Sequence, residues 1–346
     1  MKILFIVPYP KEGPSNRFRV EQYFPLLTRK GIKYKIRSFC NTGLYAVLYK
    51  RGYYIKKVAY LMLSVIKRAI DIFNCVNYDI VFIHREAFPT KGYTYEALLR
   101  WLGEKVIYDF DDAVFLTKPA KVNSIIESAD HVIAGNRFLQ EYALKYNKKV
   151  GVLNTPIDTN RYAPRPVRKE SGKVVIGWIG TSSTSIYLHS LRNVFRFLNE
   201  KYKNIELRIV GGNSDMSWGP FLINKDWTLE SEVRELQAFD IGIMPMPDTD
   251  WTRGKCAFKI IEYMAVGIPL VASPVGMNLE VIQDGINGFL ASSDKNWIDK
   301  LSLLIENAVL RESLGRNGRK TVEDRYSLRG AEPKFIAILE EVARER

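Results

Sequence analysis

Residues 239–289 read FDIGIMPMPDTDWTRGKCAFKIIEYMAVGIPLVASPVGMNLEVIQDGINGF. The apolar run at 240–246 predicts a buried parallel strand, KIIEYMAVG a short helix ended by Gly267 and Pro269, and PLVAS the next strand. Beside this strand-turn-helix unit stand three cations and one carboxylate: Arg253, Lys255, Lys259 and Glu262. Lys259 precedes Glu262 by one helical turn, so a single helix face carries both near the carboxyl end of the preceding strand. Open α/β sheets bind ligands at that end.

The same alternation runs outward. ILFIV near the start, DIVFI at 79–83, KVIYD at 105–109, DHVIA at 130–134 and KVGVL at 149–153 are short β-rich runs with helical patterns between them. VVIGWIG at 174–180, IELRIV at 205–210, FDIGIM and PLVAS form a second series. Two such series predict two α/β domains, each a parallel sheet flanked by helices. TPIDTNRYAPRPVRKESGK reads as the interdomain linker, near 155–173. Residues 297–346 read as wholly helical, and DGINGF as a turn followed by an edge strand.

The tail IEYMAVGIPLVASPVG resembles the glutamate-helix-Gly-x-Pro-strand unit of glycosyltransferase family 4, the glycosyl transferases group 1 of GT-B architecture. The likeness is most specific over 240–290 and weaker along nearly the whole chain. It implies two Rossmann-like, doubly wound domains facing an interdomain cleft, with the last helix crossing back to the first domain. On this basis residues 1–160 form an acceptor-side, membrane-facing domain, 170–325 a nucleotide-sugar domain, and 326–346 the returning helix. The resemblance further implies a retaining, metal-independent transfer from a nucleotide diphosphate sugar, UDP or GDP, with no other cofactor. Glu262 matches the glutamate that clasps the ribose hydroxyls. One position departs from the pattern: eight residues before Glu262, where the family usually carries a second glutamate, this chain has Gly254.

Several further residues belong to the expected donor site. In VVIGWIGTSSTS, Gly177 and Gly180 end a strand before a run of hydroxyl residues starting at Thr181, where a helix start attracts anions. A tight, capped turn without a ligand is the plainer alternative. Arg253, Lys255 and Lys259 are candidates for neutralising a departing diphosphate, because fixed cations favour a transition state whose charge grows. A solvated loop and helix face would also account for Arg253 and Lys255. Gly276 gives a close approach in the next turn, and Glu280 matches a glutamate opening the following helix, in a supporting role.

On the acceptor side, YDFDDAVF places Asp109, Asp111 and Asp112 at a strand end, where three carboxylates repel unless solvated, hydrogen-bonded or paired with cations. Asp111 or Asp112 is placed to orient or deprotonate an acceptor hydroxyl; an Asp-rich turn with Asp112 as helix cap fits equally. His84 and Arg85 end the strand DIVFI and line the same cleft, or form an ordinary strand-end pair. In the loop PYPKEGPSNRFRVEQYF, Arg17 precedes the expected helix and reaches phosphate, whereas Arg19 begins the helix and is read as surface-exposed.

The 346 residues carry a formal charge of +13. Residues 1–170 hold 29 Lys/Arg against 15 Asp/Glu, the remainder 22 against 23, so the whole excess lies in the first half. A basic half meets phosphates, lipid or nucleic acid. In LYAVLYKRGYYIKKVAYLMLSVIKRAIDIF at 44–73, Lys50, Lys56, Lys57, Lys67 and Arg68 share a sector of ~120° with Tyr49, Tyr53 and Tyr60 at ~100° per residue. Gly52 is expected to interrupt the helix. Cations among tyrosines suit an anionic membrane surface, although a solvated basic helix is the alternative. Three scattered cysteines fit a reducing cytosol. MKILFIVPYP is too short in apolar residues for a signal-peptide core, and no run reaches the ~20 residues that span a bilayer. The expected location is therefore cytoplasmic, peripheral at the inner membrane face, with a glycan or lipid-linked acceptor and no nucleic acid. No metal-ligand spacing is present. A nucleotide-sugar epimerase of the same architecture, a catalytically dead scaffold and a basic nucleic-acid binder are the rival readings.

Overall fold

The computed structural model describes every residue except 49, 104, 166–171, 213–217 and 345–346. Tyr49 of the basic sector, the 166–171 portion of the expected linker and the last two residues of the expected returning helix lie outside the described residues. The chain divides into two compact units. The first comprises Met1–Pro156, Gly254–Cys256 and Ala331–Arg346; the second comprises Ile157–Arg253 and Ala257–Gly330.

Among the described residues the first unit is built on six parallel strands: β1 (Lys2–Val7), β2 (Lys33–Ser38), β3 (Ile80–His84), β4 (Val106–Phe110), β5 (His131–Ala134) and β6 (Val150–Val152). Their order is β2-β1-β3-β4-β5-β6. Apart from His84 and Asp109 the residues of β3 and β4 are apolar or aromatic without alternation, and all are buried, as in strands covered on both faces. Phe335 from the Ala331–Arg346 segment stacks on Tyr23 with ring centroids 4.0 Å apart.

The second unit has β7 (Val174–Ile179), β8 (Ile205–Val210), β9 (Leu222–Lys225), β10 (Ile241–Met244), β11 (Leu270–Ala272) and β12 (Phe289–Leu290). All pairings are parallel, in the order β12-β11-β10-β7-β8-β9. The chain leaves β7 toward β8 and β9, then returns to β10 on the other side. That reversal is a topological switch point between β7 and β10, and the equivalent reversal in the first sheet lies between β1 and β3.

Two strands escaped the sequence reading. β2 (KYKIRS) alternates charge with half-buried residues, and β9 (LINK) is largely exposed; both are edge strands, which lack the apolar run that marks the centre of a sheet. The expected linker also differs, because its first part packs in the second unit. Tyr162 is buried and donates to Glu232 Oε2 at 2.5 Å, and Arg165 pairs with Asp240 at 2.8 Å.

The 44–73 stretch forms two helices, Thr42–Leu48 and Tyr54–Asn74, broken where Gly52 takes φ +79°. Its chemistry departs from the expected basic face. Arg68 is 1 % exposed; its guanidinium donates to Val7 O and Arg37 O and lies 3.6 Å from Asp71, so it serves the core. The exposed face is instead mainly apolar, with Ile55, Val58, Met62, Ile66, Ile70 and Phe73 at helical spacing and Lys56 and Lys67 between them. Among the described residues no helix is long and apolar enough to cross a membrane.

Candidate active site

In the second unit the switch point gathers part of the predicted donor group. Gly180 directly follows β7, and a Cβ there would stand 2.6 Å from Lys259 Cε and 2.7 Å from Trp178 Cη2. Glycine is thus required for the Lys259 side chain to reach the end of β7. The Lys259 ammonium lies 5.4 Å from the Trp178 ring centroid, a cation–π contact that holds it there. Lys259 and Glu262 sit on the helix Phe258–Ala265. Tyr263 ties that helix to both switch-point strands, donating to Ile243 O at 3.2 Å and accepting from Ile179 N at 3.3 Å. Glu262 is 6 % exposed, which rules out the exposed-helix salt bridge as the account of this carboxylate.

Thr181 lies at the start of the short helix Ser182–Ser185, but its hydroxyl pairs with Ser183 Oγ at 2.9 Å rather than capping a backbone N–H. Arg253 is exposed and held by Asp248 at 2.7 and 3.0 Å, with Asp250 at 3.4 Å. Gly276 packs against the Arg253 backbone, where a Cβ would meet Arg253 Cα at 2.9 Å. Glu280 is the third residue of the helix Asn278–Val281 and is exposed. Lys255 is placed differently from the other donor candidates. It belongs to the first unit, where its ammonium lies 3.4 Å from Asp112.

In the first unit the switch-point region holds a continuous polar network. His84, fully buried at the end of β3, contacts Asp109 Oδ2 through Nδ1 at 2.6 Å and Ser15 Oγ through Nε2 at 2.6 Å. Ser15 Oγ also donates to Asp111 Oδ2 at 2.8 Å. Arg19 forks onto Asp109, with Nε 3.2 Å from Oδ2 and Nη2 bonded to Oδ1, and donates onward to Leu153 O and Thr155 Oγ1. Arg85 Nε bonds Asp111 Oδ1 at 2.7 Å, and its Nη2 bonds Asp112. Each of the three carboxylates therefore has its cation, which resolves the repulsion their spacing posed.

The expected surface role of Arg19 is corrected. The helix starts earlier, at Pro14, and ends at Arg19, so both Arg17 and Arg19 lie within it, and both are buried. Arg85 adopts φ +61°, a left-handed conformation that costs energy for a residue with a Cβ and recurs at functional sites. Its backbone is held by Arg85 N donating to Asp109 O at 2.7 Å and by the Tyr108 hydroxyl donating to Arg85 O at 3.0 Å.

Burial by itself would raise the carboxyl pKa values here. The charge of Arg85, with His84, outweighs it and holds Asp111 well below the usual carboxylate range; Arg19 and His84 likewise lower Asp109. A carboxylate held so firmly ionised is a weak base, so Asp111 suits orienting a hydroxyl better than removing its proton. Ser15 was not singled out from the sequence. It follows Pro14 in a short helix whose sequence carries no apolar periodicity to mark it. Trp178 was visible only as a strand residue between two glycines.

The paired switch-point sheets define a GT-B α/β protein. Residues 173–307 match the family model described as glycosyl transferases group 1. The capsular polysaccharide biosynthesis glycosyltransferase CapM of Staphylococcus aureus is 26% identical over 252 residues, 68% of this chain and 63% of that protein. Spore coat protein SA of Bacillus subtilis is 28% identical over 82 residues, 23% of this chain and 22% of its own. The matches thus span less than two thirds of these relatives' length. Among solved structures, Anabaena HepE in complex with UDP and glucose superposes with TM-score 0.71 at 15% identity, covering 98% of this chain and 99% of that one. A glycosyltransferase from Rickettsia africae gives 0.72 at 18% identity, covering 100% and 99%. At these identities the likeness is one of fold.

Proposed function

We propose that this chain transfers a sugar from a UDP- or GDP-linked donor to a hydroxyl of a lipid-linked or cell-envelope glycan, with retention and without a metal ion, at the inner face of a membrane. The observation that carries this reading is a buried glutamate, Glu262, on the helix whose Lys259 reaches the glycine turn at the second unit's switch point, inside the stretch that matches the group 1 family model. The complex of HepE with UDP and glucose and the capsular role in CapM's name agree with such a donor and acceptor.

In this reading Glu262 accepts the ribose hydroxyls, and Gly180 and Thr181 let the diphosphate approach the backbone. Lys259, with Arg253, meets its charge, Gly276 shapes the adjacent turn, and Glu280 supports it. As the anomeric C–O bond breaks, its electron pair passes to the diphosphate. The acceptor oxygen bonds on the face the diphosphate leaves, and its proton goes to the departing group. Fixed cations lower that barrier because the charge they meet grows toward the transition state. On the acceptor side Asp111 orients the hydroxyl and Asp112 assists. His84 and Arg85, with Asp109 and Arg17 behind them, hold the geometry. Lys255, paired with Asp112, supports this carboxylate group rather than the diphosphate. The apolar face of Tyr54–Asn74 with its lysines supports docking on an anionic membrane.

The test is thermal-shift screening with UDP, GDP and ADP sugars. One nucleotide raises the melting temperature of the wild type, and Lys259→Met and Glu262→Gln remove that rise while keeping side-chain volume. Loss of one oriented donor costs about 3 kcal/mol in kcat/KM. If both variants retain the nucleotide-induced shift, the donor site lies elsewhere.

A further inference from the structure

The first unit contains a cavity of about 240 Å³ that the transfer chemistry does not use. Phe39, Cys40, Leu44 and Leu48 line it on one side, and Val58 and Leu61 of the Tyr54–Asn74 helix on the other. Val58 and Leu61 are also 60% and 44% exposed, so the cavity opens through the apolar face of that helix. Two charged residues, Lys57 and Glu86, also line it. The Lys57 ammonium donates to Lys50 O at 2.5 Å; Glu86 is held by Lys118.

The walls are fixed by buried polar contacts, so the space is not slack packing. Glu96 accepts the Ala87 N–H at 2.9 Å and the Phe88 N–H at 3.3 Å, and Lys121 pairs with Glu96 at 2.9 Å with both side chains 1% exposed. Arg68 lies 5.9 Å from the Phe39 ring centroid and bonds the backbone at the end of β1. The Lys121–Glu96 pair and Arg68 thus brace the backbone and the ring that border the apolar pocket on its two sides. Glu86 and Ala87 of the pocket wall follow Arg85 directly in the chain, so the wall adjoins the acceptor-side network.

An apolar interior, a cation at the border and an opening on an apolar, lysine-bearing helix face complement an amphiphile with an anionic head. We propose that this pocket takes the first part of the aliphatic or isoprenoid chain of a phosphorylated lipid acceptor, with Lys57 meeting the phosphate. The proposal rests on the glycosyl-transfer reading for the word acceptor and on the pocket alone for the chain. At the ~30 Å³ that one water takes in the liquid, the cavity has room for about eight groups of that size, on the order of eight chain carbons.

Calorimetric titration of the full chain with alkyl phosphates of four to twelve carbons, below micelle-forming concentrations, tests it. Each added methylene tightens binding about fourfold, up to roughly eight carbons, and then binding levels; inorganic phosphate alone does not bind measurably. Leu44→Trp, which fills the pocket, abolishes the chain-length dependence. Leu61→Glu, at an exposed border position that folding tolerates, weakens octyl phosphate at least tenfold with an unchanged melting temperature. Affinity that climbs through twelve carbons without levelling, or that is equal in wild type and both variants, overturns the pocket in favour of surface adsorption. The nucleotide-induced thermal shift is read on the same samples. Octyl phosphate binding without any nucleotide response sinks the transferase reading and leaves the pocket, and the reverse sinks the pocket alone.

Discussion

Gly254 shows how one residue constrains the chemistry. The glycosyltransferase pattern places a glutamate there, but a Cβ on Gly254 would stand 2.6 Å from Ala113 Cβ and 2.9 Å from Ala113 N. Backbone does not yield as a lysine tip does, so no side chain fits without displacing the strand-end loop that carries Asp111 and Asp112. Gly254→Glu is therefore expected to destabilise the chain by about 1–3 kcal/mol and to lower transfer activity, although it restores the usual residue. Urea denaturation and a sugar-transfer assay check this; a stable, more active variant would show that the glycine is a lost function rather than a built constraint. The departure itself was plain in the sequence, but its reason was not, because Ala113 lies 141 positions away and carries no chemical signal. The placing of Lys259 and Glu262 on one helix beside the Gly180 turn was legible because glycine, cation and carboxylate mark a strand-turn-helix unit. The pairing of Lys255 with Asp112 was hidden for the opposite reason: closeness in sequence to Arg253 drew attention away from a partner 143 positions off.

At the scale of elements, the ends of β3 and β4 and the Pro14–Arg19 helix form one electrostatic unit. Arg19 and Asp109 are each 1% exposed in their side chains, so removing the cation strands a buried carboxylate. Arg19→Ala should cost about 3–5 kcal/mol, and Arg19→Lys should recover little of it, since lysine cannot reproduce the fork onto Asp109 and the bonds to Leu153 and Thr155. The pH dependence has a definite sign. In the wild type the Asp109 pKa is lowered below its unfolded value near ~3.9, so its contribution is complete above that pH and is lost as pH falls through the folded value. Without Arg19, burial dominates and the pKa rises. The variant then binds a proton on folding, and its deficit against the wild type narrows between pH 7 and 5. Urea titrations at both pH values decide it: a deficit that stays constant would mean the carboxylate is not what Arg19 satisfies. The strands themselves were readable from apolar runs, yet this ion pair was not, because a buried arginine and a solvated one look alike in sequence.

Over the whole molecule the alternation of strands and helices was legible, because buried parallel strands are continuous apolar runs that solvent-facing segments cannot imitate. The edge strands β2 and β9 and the sidedness of Tyr54–Asn74 were less so. There the helical wheel put Arg68 with the lysines, whereas packing against Val7, Arg37 and Asp71 draws it inward and leaves isoleucine, methionine and phenylalanine outside. That exchange changes the expected membrane thermodynamics. A purely basic face would bind anionic vesicles and let go in salt, since exposed charges more than ~8 Å apart are screened at physiological ionic strength. An apolar face with Lys56 and Lys67 on it should show two components. Lysines near an anionic surface contribute about 1 kcal/mol each and fade with salt, while the buried apolar area does not. Sedimentation with phosphatidylglycerol vesicles should therefore show binding that weakens as salt is raised and then reaches a floor. Lys56→Gln with Lys67→Gln should remove the salt-sensitive part, and Met62→Ser with Ile66→Ser the floor, each with an unchanged melting temperature because all four side chains are exposed. Competition by RNA at low salt, or complete release from vesicles at high salt, would assign the charge of the first 170 residues to nucleic acid or to simple solubility instead.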